Sequence, residues 1–166
     1  PRCNGFIVDR PPHNAAYFQK QLEAVGNYYS KISGDKLPYT ANIITSTTDD
    51  GYYTVSKTME DYAKSDQLLA EFFSEALDLA KLDIEAYFGP TFSPENVVFV
   101  VFHAGLGQDF SYPSLDPTIY DLKSAYIEKN MYKDNDTNIE VISPAVISGV
   151  SIYNGVLLPE TQNIKY

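Results

Sequence analysis

Val97-Val98-Phe99-Val100-Val101-Phe102-His103-Ala104 places six consecutive β-branched or aromatic residues between Pro94 and Gly105. A run of this kind has no polar face to turn to water. It predicts a strand buried on both sides, in the middle of a sheet covered by helices. At its carboxyl end follows His103-Ala104-Gly105-Leu106-Gly107-Gln108-Asp109, a polar, glycine-rich exit. In open α/β sheets that end of a central strand is where sites are built. Two readings of the exit stand side by side. In one, His103, Gly105, Gly107, Gln108 and Asp109 form the wall of a site. In the other they are a glycine-punctuated turn with His103 hydrogen-bonded in place. The second reading requires at least one of Gly105 and Gly107 at positive φ and a largely enclosed His103, whereas ordinary dihedrals and a solvent-facing His103 would favour a binding role.

Before this strand the chain reads as alternating elements. Gly5–Asp9 is a short apolar run stopped by Pro11 and Pro12. From Asn14 the apolar residues Phe18, Leu22, Val25, Tyr29 and Ile32 recur at helical spacing, and Gly34 ends the helix. Leu37, Tyr39, Ala41 and Ile43 alternate with polar residues, which predicts a half-buried strand over 37–45. Asp50-Gly51 marks a turn before a short strand over 52–55, and 56–63 reads as one or two helical turns. Leu69, Phe72, Phe73, Ala76, Ala80, Ile84 and Tyr87 form one stripe of a long helix over 66–88. Ser65 or Asp66 caps it, Gly89 and Pro90 close it, and its stripe is core packing.

Beyond the strand, 117–127 is ambiguous between helix and extended chain, and 130–138 is polar enough to be a mobile loop. A strand is expected over 139–142, stopped by Pro144. Asn154-Gly155 between two apolar runs predicts a hairpin of 149–153 with 156–158. The order of elements argues for one α/β domain, complete or incomplete, over residues 1–166: a mixed β-sheet flanked by helices.

Composition excludes several functions. The net charge of −10, from 22 acidic and 12 basic residues, opposes binding to nucleic acid or to anionic lipid, and no Lys/Arg cluster offsets it. No apolar window is long enough to span a membrane, and Pro1–Gly5 lacks the pattern of a signal peptide. A single Cys3 excludes an internal disulfide and a cysteine zinc knuckle. The only histidines, His13 and His103, have Tyr17 and Gly107 four residues on, so the His-Glu-x-x-His zinc helix is absent and no metal ligand is assigned. Ser33-Gly34 and Ser148-Gly149 do not make a Gly-x-Ser-x-Gly nucleophile elbow, and phosphate-loop patterns are missing. Asp134-Asn135-Asp136 lacks the glycine of a calcium loop, where Ile139 stands instead. Asn135-Asp136-Thr137 fits the acceptor pattern for N-glycosylation, which matters only where a eukaryotic host secretes the protein. No catalytic residue emerges.

Several segments together resemble secreted zinc metallopeptidases similar to bacterial immune inhibitor A. They are Pro11–Phe18, Tyr28–Gly34, the strand Val98–Gln108 with its His-Ala-Gly-x-Gly-Gln ending, Asp121–Ile127 and Gly155–Glu160. The likeness runs from about Asn4 to Glu160, and the His103–Gln108 stretch is its most specific piece. The resemblance implies the upper subdomain of a zincin-like peptidase, extracellular, with helices and a twisted mixed sheet above a peptide-binding cleft. It also implies zinc in a complete family member, carried on a later helix that these 166 residues do not contain. No zinc ligand or general base therefore transfers to this chain, which alone is expected to be inactive. The implied partners are the remainder of its own catalytic domain and a peptide or protein substrate. A piece of a longer protein, its ordered part, and a degenerate domain are all compatible with the pattern. The alternative function is a non-catalytic extracellular domain that binds or assembles, self-association through strand edges included.

Overall fold

A computed structural model describes residues 13–47, 51–89, 92–108 and 121–161. They fall into two compact units, one before Tyr53 and one from Tyr53 onward.

The first unit is built on α1 (Ala15–Ser33). Asn14 caps it by accepting the Tyr17 N–H, and Gly34 closes it in the left-handed conformation at φ 60°. The expected boundaries hold. The stripe of α1 is not buried, however: Val25, Tyr29 and Ile32 are exposed, and the buried residue of the helix is Gly26. A Cβ on Gly26 would lie 2.8 Å from the Tyr39 ring. The segment expected as a strand over 37–45 pairs with no described strand and runs close to the helix instead. Gln19 Nε2 donates to the Ala41 carbonyl at 2.8 Å. The alternation was real, but Pro38 withholds a donor, and Gly26 opens a place for the chain against α1.

The second unit holds a mixed sheet with helices, the expected class. Its strands are β1 (Phe99–Leu106), β2 (Ala125–Ile127) and β5 (Gly155–Thr161), in the order β1-β5-β2; β5 runs parallel to β1 and antiparallel to β2. This corrects the expected placement of Val97–Ala104. Among the described residues β5 is the central strand and β1 has one partner. Val98 is 69% exposed and Val100 and Phe102 are half-buried, whereas Leu157 is fully buried. The β-branched run specifies a strand, but its burial depends on what packs against it. The face of the sheet carrying His103, Gly155, Leu157 and Ile127 is closed off, while Val100, Phe102, Val156 and Leu158 on the other are half-buried.

The element that closes it is α3 (Asp66–Leu79), capped by Ser65. Leu69, Phe72 and Phe73 are buried as the stripe requires, while Ala76 is half-buried and Leu77, outside the expected stripe, is buried. Each large buried side chain contributes on the order of 1.5–3 kcal/mol. The long helix expected over 66–88 is two helices. Ala80, at φ −84° and ψ −2°, ends α3 and starts α4 (Lys81–Phe88). Past this break Ile84 is still buried but Tyr87 is exposed. The short helix α2 (Met59–Tyr62), capped by Thr58, matches the expected helical turn and buries Tyr62 completely. No ladder forms over 52–55; Tyr53 instead donates its hydroxyl to Asp83 at 2.6 Å.

Two further expectations shift. The hairpin is β3 (Ala145–Ile147) with β4 (Val150–Ile152), joined by Ser148-Gly149. Both turn residues have positive φ, 49° and 81°, as a two-residue hairpin with the twist of its strands requires. Asn154-Gly155 instead carries the chain from β4 into the other sheet. Residues 139–142 form no strand beyond a single bridge, Lys133 with Glu140. At the start of the 130–138 segment Lys129–Tyr132 forms a 3₁₀ turn, and the buried Tyr132 hydroxyl accepts from Ser74 Oγ at 3.3 Å. The run Gly5–Asp9 lies outside the described residues.

Candidate functional site

The glycine-rich exit from β1 forms where the parallel ladder with β5 fails. His103 is in register with Pro159, and the register slips between His103 and Leu106. Pro159 has no N–H to give, so regular pairing stops there. Gly105 turns at φ 88°, a conformation that strains other residues. Its N–H, released from the ladder, donates to Glu160 Oε2 at 3.0 Å. A side-chain carboxylate thus takes over from a backbone carbonyl.

His103 points to the closed face of the sheet and is 4% exposed. The edge of its ring meets Phe72 with centroids 6.5 Å apart, and Nδ1–H donates to the Ala104 carbonyl at 3.1 Å. Enclosure was expected, as was a hydrogen bond to a backbone carbonyl or a carboxylate; the carbonyl is the partner. Gly107 is buried, and the Gln108 N–H donates to the carbonyl of buried Leu122 at 3.1 Å. Gln108 Oε1 is buried with no partner among the described residues. His103, Gly105, Gly107 and Gln108 are therefore brought into one anchored turn. Asp109 lies outside the described residues. His13 is buried beside Tyr17 in the other unit.

A second polar cluster has no counterpart in the sequence reading. Glu75 of α3 accepts from the Tyr62 hydroxyl, from Ser56 N–H at 2.7 Å and from Ser56 Oγ at 3.1 Å. Partial burial alone would raise its pKa, but these hydrogen bonds outweigh burial and hold the carboxyl below the usual glutamate range. Burial first, and Glu75 second, push the Tyr62 hydroxyl up. Next to it Lys57 pairs with Glu71 at 2.6 Å. Glu71, Glu75 and Asp78 then line one side of an open 470 Å³ groove, opposite Val141, Ile142 and Ser143. The signal was the spacing of these acids along α3 on the side away from its apolar stripe; their partners are not local.

Among the described residues no three His, Cys, Asp or Glu side chains are grouped to hold a metal, and no helix is long and apolar enough to cross a membrane. No family model, curated protein or solved structure matches the chain.

Proposed function

We propose that this chain is the N-terminal scaffold portion of a secreted zinc metallopeptidase of the immune inhibitor A-like family. Its sheet and the His103–Asp109 exit would form the wall of a peptide-binding cleft. The observation that carries this reading is the His-Ala-Gly-x-Gly-Gln ending of β1, which turns at Gly105 and is held by Glu160. The half-exposed apolar face of the sheet, with Val100, Phe102, Val156 and Leu158, agrees with a domain that continues beyond these residues. The same face also suits the alternative, a non-catalytic extracellular domain that works by association.

Zinc belongs to the complete enzyme in this reading. The described residues do not fit it: His103 is enclosed with Nδ1 on a backbone carbonyl, and among them no three His, Cys, Asp or Glu side chains are grouped to hold a metal. No hydrolytic step is therefore assigned to this chain. Reading the coding sequence past Tyr166 tests the proposal. A His-Glu-x-x-His within a few tens of residues supports the peptidase, and a stop codon supports the association domain. The 166-residue chain by itself is expected to retain no stoichiometric zinc after dialysis and to leave casein uncut. Zinc retention, or cleavage that a chelator stops, would show that ligands were missed.

A further inference from the structure

The turn at 134–139 carries Asn135-Asp136-Thr137, the one Asn-x-Ser/Thr triplet in the chain without Pro at its middle position. Asn135, Asp136 and Thr137 are all exposed. The turn is closed from within. Asp134 N–H donates to Ile139 O at 2.8 Å, and Asn138 N–H donates to Asp134 O at 2.9 Å. Asp134 Oδ1 accepts from Asp136 N–H, Thr137 N–H and Thr137 Oγ1, at 3.2, 2.9 and 2.7 Å. The base of the turn is fixed by the Lys133–Glu140 bridge and by buried Tyr132. None of these bonds uses the Asn135 side chain, so a large polar substituent on it meets solvent and disturbs no contact of the fold.

We propose that Asn135 is an N-glycosylation site. Asn135 Nδ2 forms a bond to the anomeric carbon of a lipid-linked oligosaccharide pyrophosphate. That carbon's bond to the pyrophosphate oxygen breaks, the pyrophosphate leaves with the electron pair, and one amide proton is released. In the folded turn the Thr137 hydroxyl is committed to Asp134, so transfer takes place before the turn closes. The proposal rests on the extracellular reading for its natural setting, but the acceptor chemistry belongs to the turn itself.

The test supplies export independently. The full 166-residue chain is placed behind a secretion leader in a eukaryotic host, and intact mass is measured on the secreted and cell-retained pools, before and after peptide-N-glycosidase. Wild type is expected to carry one glycan, whose release leaves Asp at position 135. Asn135→Gln and Thr137→Ala are expected to abolish it, and Thr137→Ser to keep it. Wild type at its unmodified mass in both pools, or a glycan that survives Asn135→Gln, overturns the proposal. Neither outcome bears on natural secretion, which is decided by locating the native protein.

Discussion

Gly155→Ala adds one methyl group at a crowded point of the sheet. Gly155 has no unusual φ; its requirement is space. A Cβ there would stand 2.1 and 2.4 Å from two Phe73 ring carbons and 2.8 Å from the Phe99 carbonyl oxygen. To restore carbon–carbon contact near 3.6 Å, the ring must retreat by about 1.5 Å. Phe73 is fully buried between α3 and β5 and has nowhere to go. The Phe99 oxygen belongs to the neighbouring strand in register with Gly155, so the β1–β5 pairing must open as well. Overpacking of this kind costs about 1–3 kcal/mol, and two simultaneous clashes place this variant at about 2 kcal/mol or more. For a chain of this size the melting temperature should fall by at least about 4 °C. Urea unfolding followed by far-ultraviolet circular dichroism measures the loss. Gly149→Ala is the control, because it meets open space and strains only a φ of 81°, at a cost of about 1 kcal/mol. In a Phe73→Leu background, Gly155→Ala should cost less than in wild type, with a coupling of about 0.5–3 kcal/mol. A Gly155→Ala protein within about 0.5 kcal/mol of wild type, or strict additivity with Phe73→Leu, would refute the packing of α3 on β5.

Two other outcomes follow from the same geometry. Leu157→Ala, at a fully buried residue of β5, should cost about 2–5 kcal/mol, while Val98→Ala, at an exposed residue just before β1, should change stability by less than about 0.5 kcal/mol. Thermal melts that reverse this order would return β1 to the centre of the sheet. Glu75 titrates below the usual glutamate range in the folded state, so its hydrogen bonds stabilise the fold at neutral pH and are lost as acid protonates it. Between about pH 6 and about pH 3 the melting temperature of wild type should fall further than that of Glu75→Gln, and parallel pH slopes would remove Glu75 from the account.

Which features were legible follows from the range of the interaction involved. Asn14, Gly34, Ser65 and Gly89 mark helix ends correctly because a cap is satisfied within one turn of its own chain. Gly105 is legible for the same reason: a tight exit from a strand needs positive φ, and glycine supplies it without strain. The enclosure of His103 comes from its place on the closed face of the sheet, against Phe72 of α3. The apolar stripe of α3 is read correctly from its period, while the break at Ala80 is not, because no Gly or Pro announces it.

Strand order lay beyond local information. Val97–Phe102 is the longer apolar run and reads as the central strand in one dimension, yet among the described residues β5, on which Phe73 packs at Gly155, is the strand with two neighbours. Asn154-Gly155 is the stronger hairpin dipeptide, yet Ser148-Gly149 makes the turn because Ala145–Ile147 offers β4 a partner with both ends of the pair buried. The Gly105–Glu160 bond joins residues 55 apart in the chain, and no local pattern reports it. Residue types and short spacings settle helices, caps and turns, whose bonds close within a few residues. Which strand is central and which carboxylate holds the exit loop are settled by contacts between distant segments, and those exist only once the chain is folded.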